Sequence, residues 1–117
     1  MNRRIGLVGE KYAAFFLKTN GYEIIKNNYH TRYGEIDIIA RNKREDCFIE
    51  VKTRRSIFCG EPEEAFTSIK AMRFYRSIME YYKIHTPCSW RVDLIAIRLN
   101  SFEELEDLRH YINVQLF

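Results

Sequence analysis

The chain has 117 residues, 46% of them hydrophobic and 30% charged, with a formal net charge of +3; this is the composition of a single globular domain, 1–117, and excludes a disordered chain. No apolar run approaches the ~20 residues of a membrane span, and Gly6, Gly9, Glu10 and Lys11 interrupt the stretch a signal peptide would keep apolar, so a cytoplasmic protein with no membrane contact is expected. Charge is uneven: residues 1–100 carry 18 Lys and Arg against 12 Asp and Glu, and 101–117 carry 1 against 4, a basic body suited to a polyanion with an acidic segment open to a protein partner.

Helical periodicity runs from Ile5 to Asn20 through Ile5, Tyr12, Ala13, Phe16 and Leu17, and Asn20-Gly21 supplies its stop. Three strand-like runs follow, Tyr22–Tyr29, Tyr33–Arg41 and Cys47–Arg54. The last two are joined by the short polar link 42–46 that a hairpin needs. A second helix is expected over Pro62–Lys83, with Pro62 in its first turn and an apolar stripe of Ala65, Ile69, Met72, Tyr75, Met79 and Tyr82. Trp90–Leu99 reads as a buried strand. Ser101-Phe-Glu-Glu104 has the spacing of a capping box, yet Tyr111–Leu116 alternates, so helix and strand are both open there. The order α-β-β-β-α-β plus a tail predicts an α/β fold with a central mixed sheet flanked by helices.

Cys47, Cys59 and Cys88 are odd in number and widely spaced, and His30, His85 and His110 are scattered. That excludes a disulfide framework and a zinc knuckle, and leaves oxygen ligands for any metal. Alternation along the third strand puts Ile49 and Val51 on a core face and Glu50 and Lys52 on the other. On the strand before it, Ile36, Ile38 and Ala40 face one way and Glu35 and Asp37 the other. Pairing across the link then brings Asp37 and Glu50 to one surface with Lys52 beside them. Two carboxylates ~5 Å apart repel by about 3 kcal/mol at an effective dielectric of about 20. A hard divalent cation, Mg²⁺ or Mn²⁺, relieves that repulsion. Lys52 could then serve an attacking water or a charged transition state. Glu10, an acid among small and apolar neighbours on the first helix, needs a partner, and this acidic edge supplies one. The same residues also fit a surface hairpin of alternating charges, with cross-strand pairs worth a few tenths of a kcal/mol. The pattern alone leaves both readings open.

Longer stretches carry a resemblance. Gly6, Gly9-Glu10, Ala13 and Gly21-Tyr22, then Gly34-Glu35-Ile36-Asp37, Phe48-Ile49-Glu50-Val51-Lys52-Thr53-Arg54, the residues Gly60, Pro62, Glu64-Ala65 and Lys70, and finally Arg91-Val92-Asp93 resemble, in order, the motifs of the bacterial YraN-type proteins. That family resembles the PD-(D/E)xK nucleases, in particular archaeal Holliday-junction resolvases. The resemblance implies a restriction-endonuclease-like fold, a metal site of Asp37 and Glu50 with Glu10 completing it, and a catalytic Lys52. Ile36 stands where the superfamily's name places proline, which leaves the carboxylate in position. The function implied is a metal-dependent endonuclease acting on branched or structured nucleic acid, DNA ahead of RNA, with a homodimer as one way to present two sites. The rival is a nucleic-acid-binding module, or a partner-dependent interaction protein, on the same fold. Lys70, Arg73, Arg54 and Arg55 are the expected phosphate contacts. Asp93 is expected in a structural salt bridge with Arg91 or another base, Glu35 as a surface or supporting carboxylate, and His30 as an exposed side chain. Phe15, Phe16, Phe66, Tyr75 and Tyr82 sit on helical stripes, and core packing is expected for most of them ahead of base stacking.

Overall fold

The computed structural model describes residues 3–55 and 66–117. Helix α1 (Arg3–Thr19) precedes strands β1 (Glu23–Thr31), β2 (Gly34–Asn42) and β3 (Glu45–Arg54); helix α2 (Ser68–Tyr81), β4 (Trp90–Leu99) and β5 (Leu105–Tyr111) follow. The five strands form one sheet in chain order. Neighbours are antiparallel except β3 and β4, which run parallel in unbroken register from Asp46↔Trp90 to Arg54↔Arg98. A parallel pair needs a crossover, and α2 lies on it. No helix among the described residues is long and apolar enough to cross a membrane.

Each helix covers one face of the sheet. Ile5, Ala13 and Leu17 of α1 pack on Ile38, Ala40, Cys47, Ile49, Val51, Ile95 and Ile97. On the other face Phe74, Ile78 and Tyr81 of α2 pack on Ile36, Ile39, Phe48 and Val92. With both faces covered, β3 is buried almost throughout, the signature of a central strand in a helix-sandwiched sheet.

Helix α1 stops as its sequence predicts. Gly21 takes φ +88°, and its N–H and that of Tyr22 return to the carbonyls of Lys18 and Leu17 at 3.1 and 2.9 Å, a Schellman closure. Helix α2 begins later than Pro62. Thr67 is extended (φ −72°, ψ 168°) and its Oγ1 accepts from the Lys70 N–H at 3.2 Å, so the cap fixes Ser68 as the first helical residue. Gly60, Pro62, Glu64 and Ala65 lie outside the described residues.

Two further expectations are corrected, and the open choice at the tail is decided. The buried stripe of α2 is Ala71, Phe74, Ile78 and Tyr81, while Ile69 is 68% and Met72 42% exposed. The helix carries apolar residues on two adjacent lines, and the second is the one that packs on the sheet. Phe15, likewise placed in the core, is 72% exposed. The tail is a strand: Asn100 Oδ1 accepts the N–H groups of Phe102 and Glu104, Glu103 turns at φ 62°, and β5 pairs antiparallel with β4. Asparagine therefore closes a hairpin where a capping box was read.

Candidate metal and phosphate site

The site forms where β2 leaves β3. Their register ends at Ile38↔Ile49, so the Val51 N–H, which an unbroken ladder would give to residue 36, donates instead to Asp37 Oδ2 at 2.8 Å. The chain also rolls at this point. Ile38 and Ala40 face α1, whereas Ile36, expected beside them, packs under α2. The roll carries Asp37 against Glu50. Burial first, then the Glu50 and Glu10 carboxylates, push the Asp37 carboxyl up to about 8, against the lowering effect of the Val51 N–H.

Glu50 is 8% exposed, held within a covered strand, and its Oε2 accepts from Lys70 Nζ at 2.6 Å. The lysine expected at phosphate therefore stands on a carboxylate of the site. Lys52, two residues on along β3, has no hydrogen-bonded or ion-paired partner among the described residues. Burial, followed by the charges of Lys70 and Arg54, outweighs Glu50 and Asp37 and draws its ammonium below the usual lysine range. A lysine so placed gives up a hydrogen bond or a proton more readily than an exposed one.

Glu10 arrives from α1 through a close approach. A Cβ at Gly9 would overlap the Thr53 side chain, with Cγ2 at 2.8 Å and Cβ at 2.9 Å; only glycine brings the helix this near β3. One sequence-silent residue completes the arrangement. Asn28, in the left-handed region at φ 51°, donates through Nδ2 to Glu10 Oε1 and to Glu35 Oε1, both at 2.7 Å. It clips α1 to the β1–β2 hairpin. The signal available was the Asn27-Asn28 pair within a strand, since asparagine tolerates this conformation. Glu35 is thus an exposed supporting carboxylate, and His30 is exposed on β1.

Of the other expected contacts, Arg54 lies at the end of β3 and donates to the Thr53 carbonyl at 3.1 Å. Arg55 lies 3.9 Å from Glu103. Arg73 is exposed and, with Lys70, Glu35 and Glu50, lines a groove of about 450 Å³. Asp93 is fully buried and pairs with Arg91 (3.0 Å), as expected, and also with His110 Nε2 (2.8 Å) and the Asn113 N–H (3.0 Å). It sits on the α1 face, in the structural network and away from the acids. The acidic residues of 101–117 have internal partners: Glu103 with Arg4, Glu106 with Arg98, Asp107 with Arg109, and Glu104 with the Asn100 side chain.

The donor set is oxygen throughout, and the Glu50 and Glu10 carboxylates add to burial in raising the Asp37 carboxyl, a repulsion that a cation would relieve; this chemistry fits Mg²⁺ or Mn²⁺. The arrangement is not a preformed cage. Among the described residues no three His, Cys, Asp or Glu side chains are grouped to hold an ion, and the Lys70 ammonium holds the place on Glu50 that a cation would take.

Residues 9–97 match the model of the uncharacterised protein family UPF0102. The chain belongs to that family. UPF0102 relatives extend the match. The chain is 42% identical over 113 residues to a UPF0102 protein of Chlorobium phaeobacteroides (92% of this chain, 89% of the relative). It is 39% identical over 112 residues to one of Caldicellulosiruptor saccharolyticus (92% and 94%), and 46% identical over 83 residues to one of Syntrophomonas wolfei (71% and 72%). The family match over 9–97 thus takes in Glu10, Asp37, Glu50, Lys52, Lys70 and Arg73, and the names of these relatives state no activity.

Proposed function

We propose that this UPF0102 protein is a metal-dependent endonuclease on a restriction-endonuclease-like fold, hydrolysing phosphodiester bonds in branched or structured DNA. The observation that carries the reading is the meeting of Asp37 and Glu50, at the divergence of β2 and β3, with Lys52 beside them and unpartnered among the described residues. Asp37 and Glu50 would hold Mg²⁺ or Mn²⁺, with Glu10 completing the set from α1. The ion supplies Lewis acidity toward a phosphoryl oxygen. Lys52 orients the attacking water or donates to the oxygen on which charge develops; a group of this kind is worth about 10²–10⁴ in rate. With a cation on Glu50, Lys70 would be free for phosphate, with Arg73, Arg54 and Arg55 along the approaching backbone.

A nucleic-acid-binding module that does not cut is the second reading. The Lys70–Glu50 pair favours it, because a site closed by its own lysine has no need of a metal. A labelled panel of single-stranded, duplex, flap and four-way-junction DNA, with Mg²⁺, Mn²⁺ or EDTA, separates the two. Metal-dependent cutting that falls at least about 100-fold in Lys52→Ala and in Glu50→Gln is expected. Tight binding without cutting in either metal would replace the first reading by the second.

A further inference from the structure

Beside the acids, and outside them, the turn joining β1 to β2 meets α2 in a cleft of about 740 Å³ whose walls include Arg32, Tyr33, Ile69, Met72, Arg73 and Arg76. Tyr33, Gly34, Ile69 and Arg73 also line the groove that holds Glu50 and Lys70, so the two form one continuous surface. Neither Tyr33, Arg32 nor Arg76 is a ligand of the acidic site. The Arg32 and Arg76 guanidinium carbons stand 5.1 and 5.7 Å from the Tyr33 ring centroid.

The platform is fixed from behind. Thr31 Oγ1 hydrogen-bonds Ser77 Oγ of α2 at 2.7 Å and accepts from the Tyr33 N–H at 3.0 Å. The turn that presents the ring is therefore tied to the helix that presents the arginines. Arg73 and Arg76 are exposed and have no carboxylate partner among the described residues; Arg32 has one long contact, 3.5 Å, to Glu80. Ile69 and Met72 add an exposed apolar floor, on the line of α2 that does not pack on the sheet.

Guanidinium groups without acids want phosphate. An aromatic ring beside an apolar floor wants a flat apolar face. Phosphate and base at this spacing occur together in an unpaired nucleotide strand, whereas a paired duplex hides its base faces. An acidic peptide would use the arginines and leave the ring and floor idle. The exposed guanidinium–ring contacts are weaker than a stacked base, so the arginines can turn from ring to phosphate as the base arrives.

We propose that this cleft is a subsite for an unpaired stretch of DNA adjoining the bond to be cut, with one base stacked on Tyr33 and its flanking phosphates held by Arg32, Arg73 and Arg76. The inference deepens the nuclease reading and rests on it for the position of the cut, but its test needs no cutting. Fluorescence anisotropy in EDTA would compare a 15-nucleotide dT strand with a 15-base-pair duplex. A dT strand carrying one 2-aminopurine would report stacking.

The expected results are that Tyr33→Ala weakens the single strand about 5- to 100-fold and removes 2-aminopurine quenching, that Tyr33→Phe restores both, and that the duplex is little changed by either. The pair Arg32→Ala with Arg76→Ala should flatten the single-strand salt slope by about 1.4, or 0.7 for each phosphate no longer held. Equal losses on duplex and single strand, unaltered quenching in Tyr33→Ala, or poly-glutamate bound as tightly as dT would overturn the subsite. If these variants bind the strand as the wild type does while Lys52→Ala abolishes cutting, the subsite fails and the nuclease stands. If Tyr33→Ala loses the single strand but the wild type never cuts, the subsite stands and the nuclease fails.

Discussion

Gly9 and Thr53 hold the first helix and the central strand at a distance no larger pair would permit. Alanine normally gains about 1 kcal/mol over glycine inside a helix. Here its Cβ meets the branched, backbone-proximal part of a threonine that cannot swing aside, and overpacking of this kind costs about 1–3 kcal/mol. Gly9→Ala is therefore expected to lower the midpoint of urea unfolding in spite of its better propensity. Thr53→Ala added to it should recover part of the loss, a coupling a double-mutant cycle would read. A Gly9→Ala protein as stable as the wild type would show that the helix has room to lift. The Thr53 hydroxyl is itself buried without a hydrogen-bond partner among the described residues. Thr53→Val removes that orphan but sets a larger methyl where the hydroxyl, the atom nearest Gly9, now lies; the gain of about 1 kcal/mol from the hydroxyl is offset by crowding of about 1–3 kcal/mol, so no rise in melting temperature is expected by calorimetry.

The last strand is held through a single buried acid. Asp93 on β4 takes hydrogen bonds from Arg91, from His110 of β5 and from the Asn113 backbone just beyond it. Burial alone would raise its carboxyl, but His110, Arg91 and Asn113 together outweigh burial and hold it below 3.8. The unfolded chain thus takes up this proton before the folded one does, and the contribution, present above 3.8, is lost as pH falls through the lower folded value. Asp93→Asn, which leaves Arg91 buried against a neutral group, is expected to cost about 3 kcal/mol at pH 7 and to remove this part of the acid-side decline. A variant whose loss is the same at pH 3 as at pH 7 would place the effect elsewhere. The pairing of Asp93 with Arg91 was legible because a lone acid in an apolar strand needs a base. The role of His110 was hidden, since β5 itself was ambiguous: Glu104 sits where a capping box wants it, and LEDLRHY alternates only in part. The alternation of β3 made Glu50 and Lys52 legible as neighbours on one face, because period two holds along that strand; the meeting of Asp37 with Glu50 was expected on the same ground and comes instead from the roll of β2. Ile36 escaped that rule, since the strand rolls where its ladder ends. Nor could periodicity choose between the two apolar lines of α2, 69–72–79 and 71–74–78, because both satisfy it and only packing against the sheet decides.

At the scale of the whole molecule, 101–117 is an integral part of the sheet rather than an appended acidic tail. β5 covers the flank of β4 along Leu94–Leu99, the Val114 N–H returns to the Val92 carbonyl at 2.7 Å, and Phe117 packs edge-on to Tyr75 of α2 at 5.7 Å between ring centres. A chain ending at Asn100 would expose the Ile95–Ile97–Leu99 strand as a bare apolar edge. It is expected to lose cooperative unfolding by circular dichroism and to precipitate. Glu106→Gln, whose partner Arg98 lies on the exposed surface, should instead fold normally and change stability by less than about 0.5 kcal/mol. Removing charges one at a time therefore tests a docking role for this segment, which deletion cannot do.

β1 is the sheet's other border, and a straight border strand is an invitation to pair with a neighbouring molecule. Two departures spoil it as a template: the register slips between Ile24 and Lys26, and Asn28 bends the backbone into the left-handed region. The second departure also turns the Asn28 amide inward to hold Glu10 and Glu35. Resistance to aggregation and the fastening of the acids are thus one local deformation, and selection on solubility and selection on the site act at that residue in the same direction.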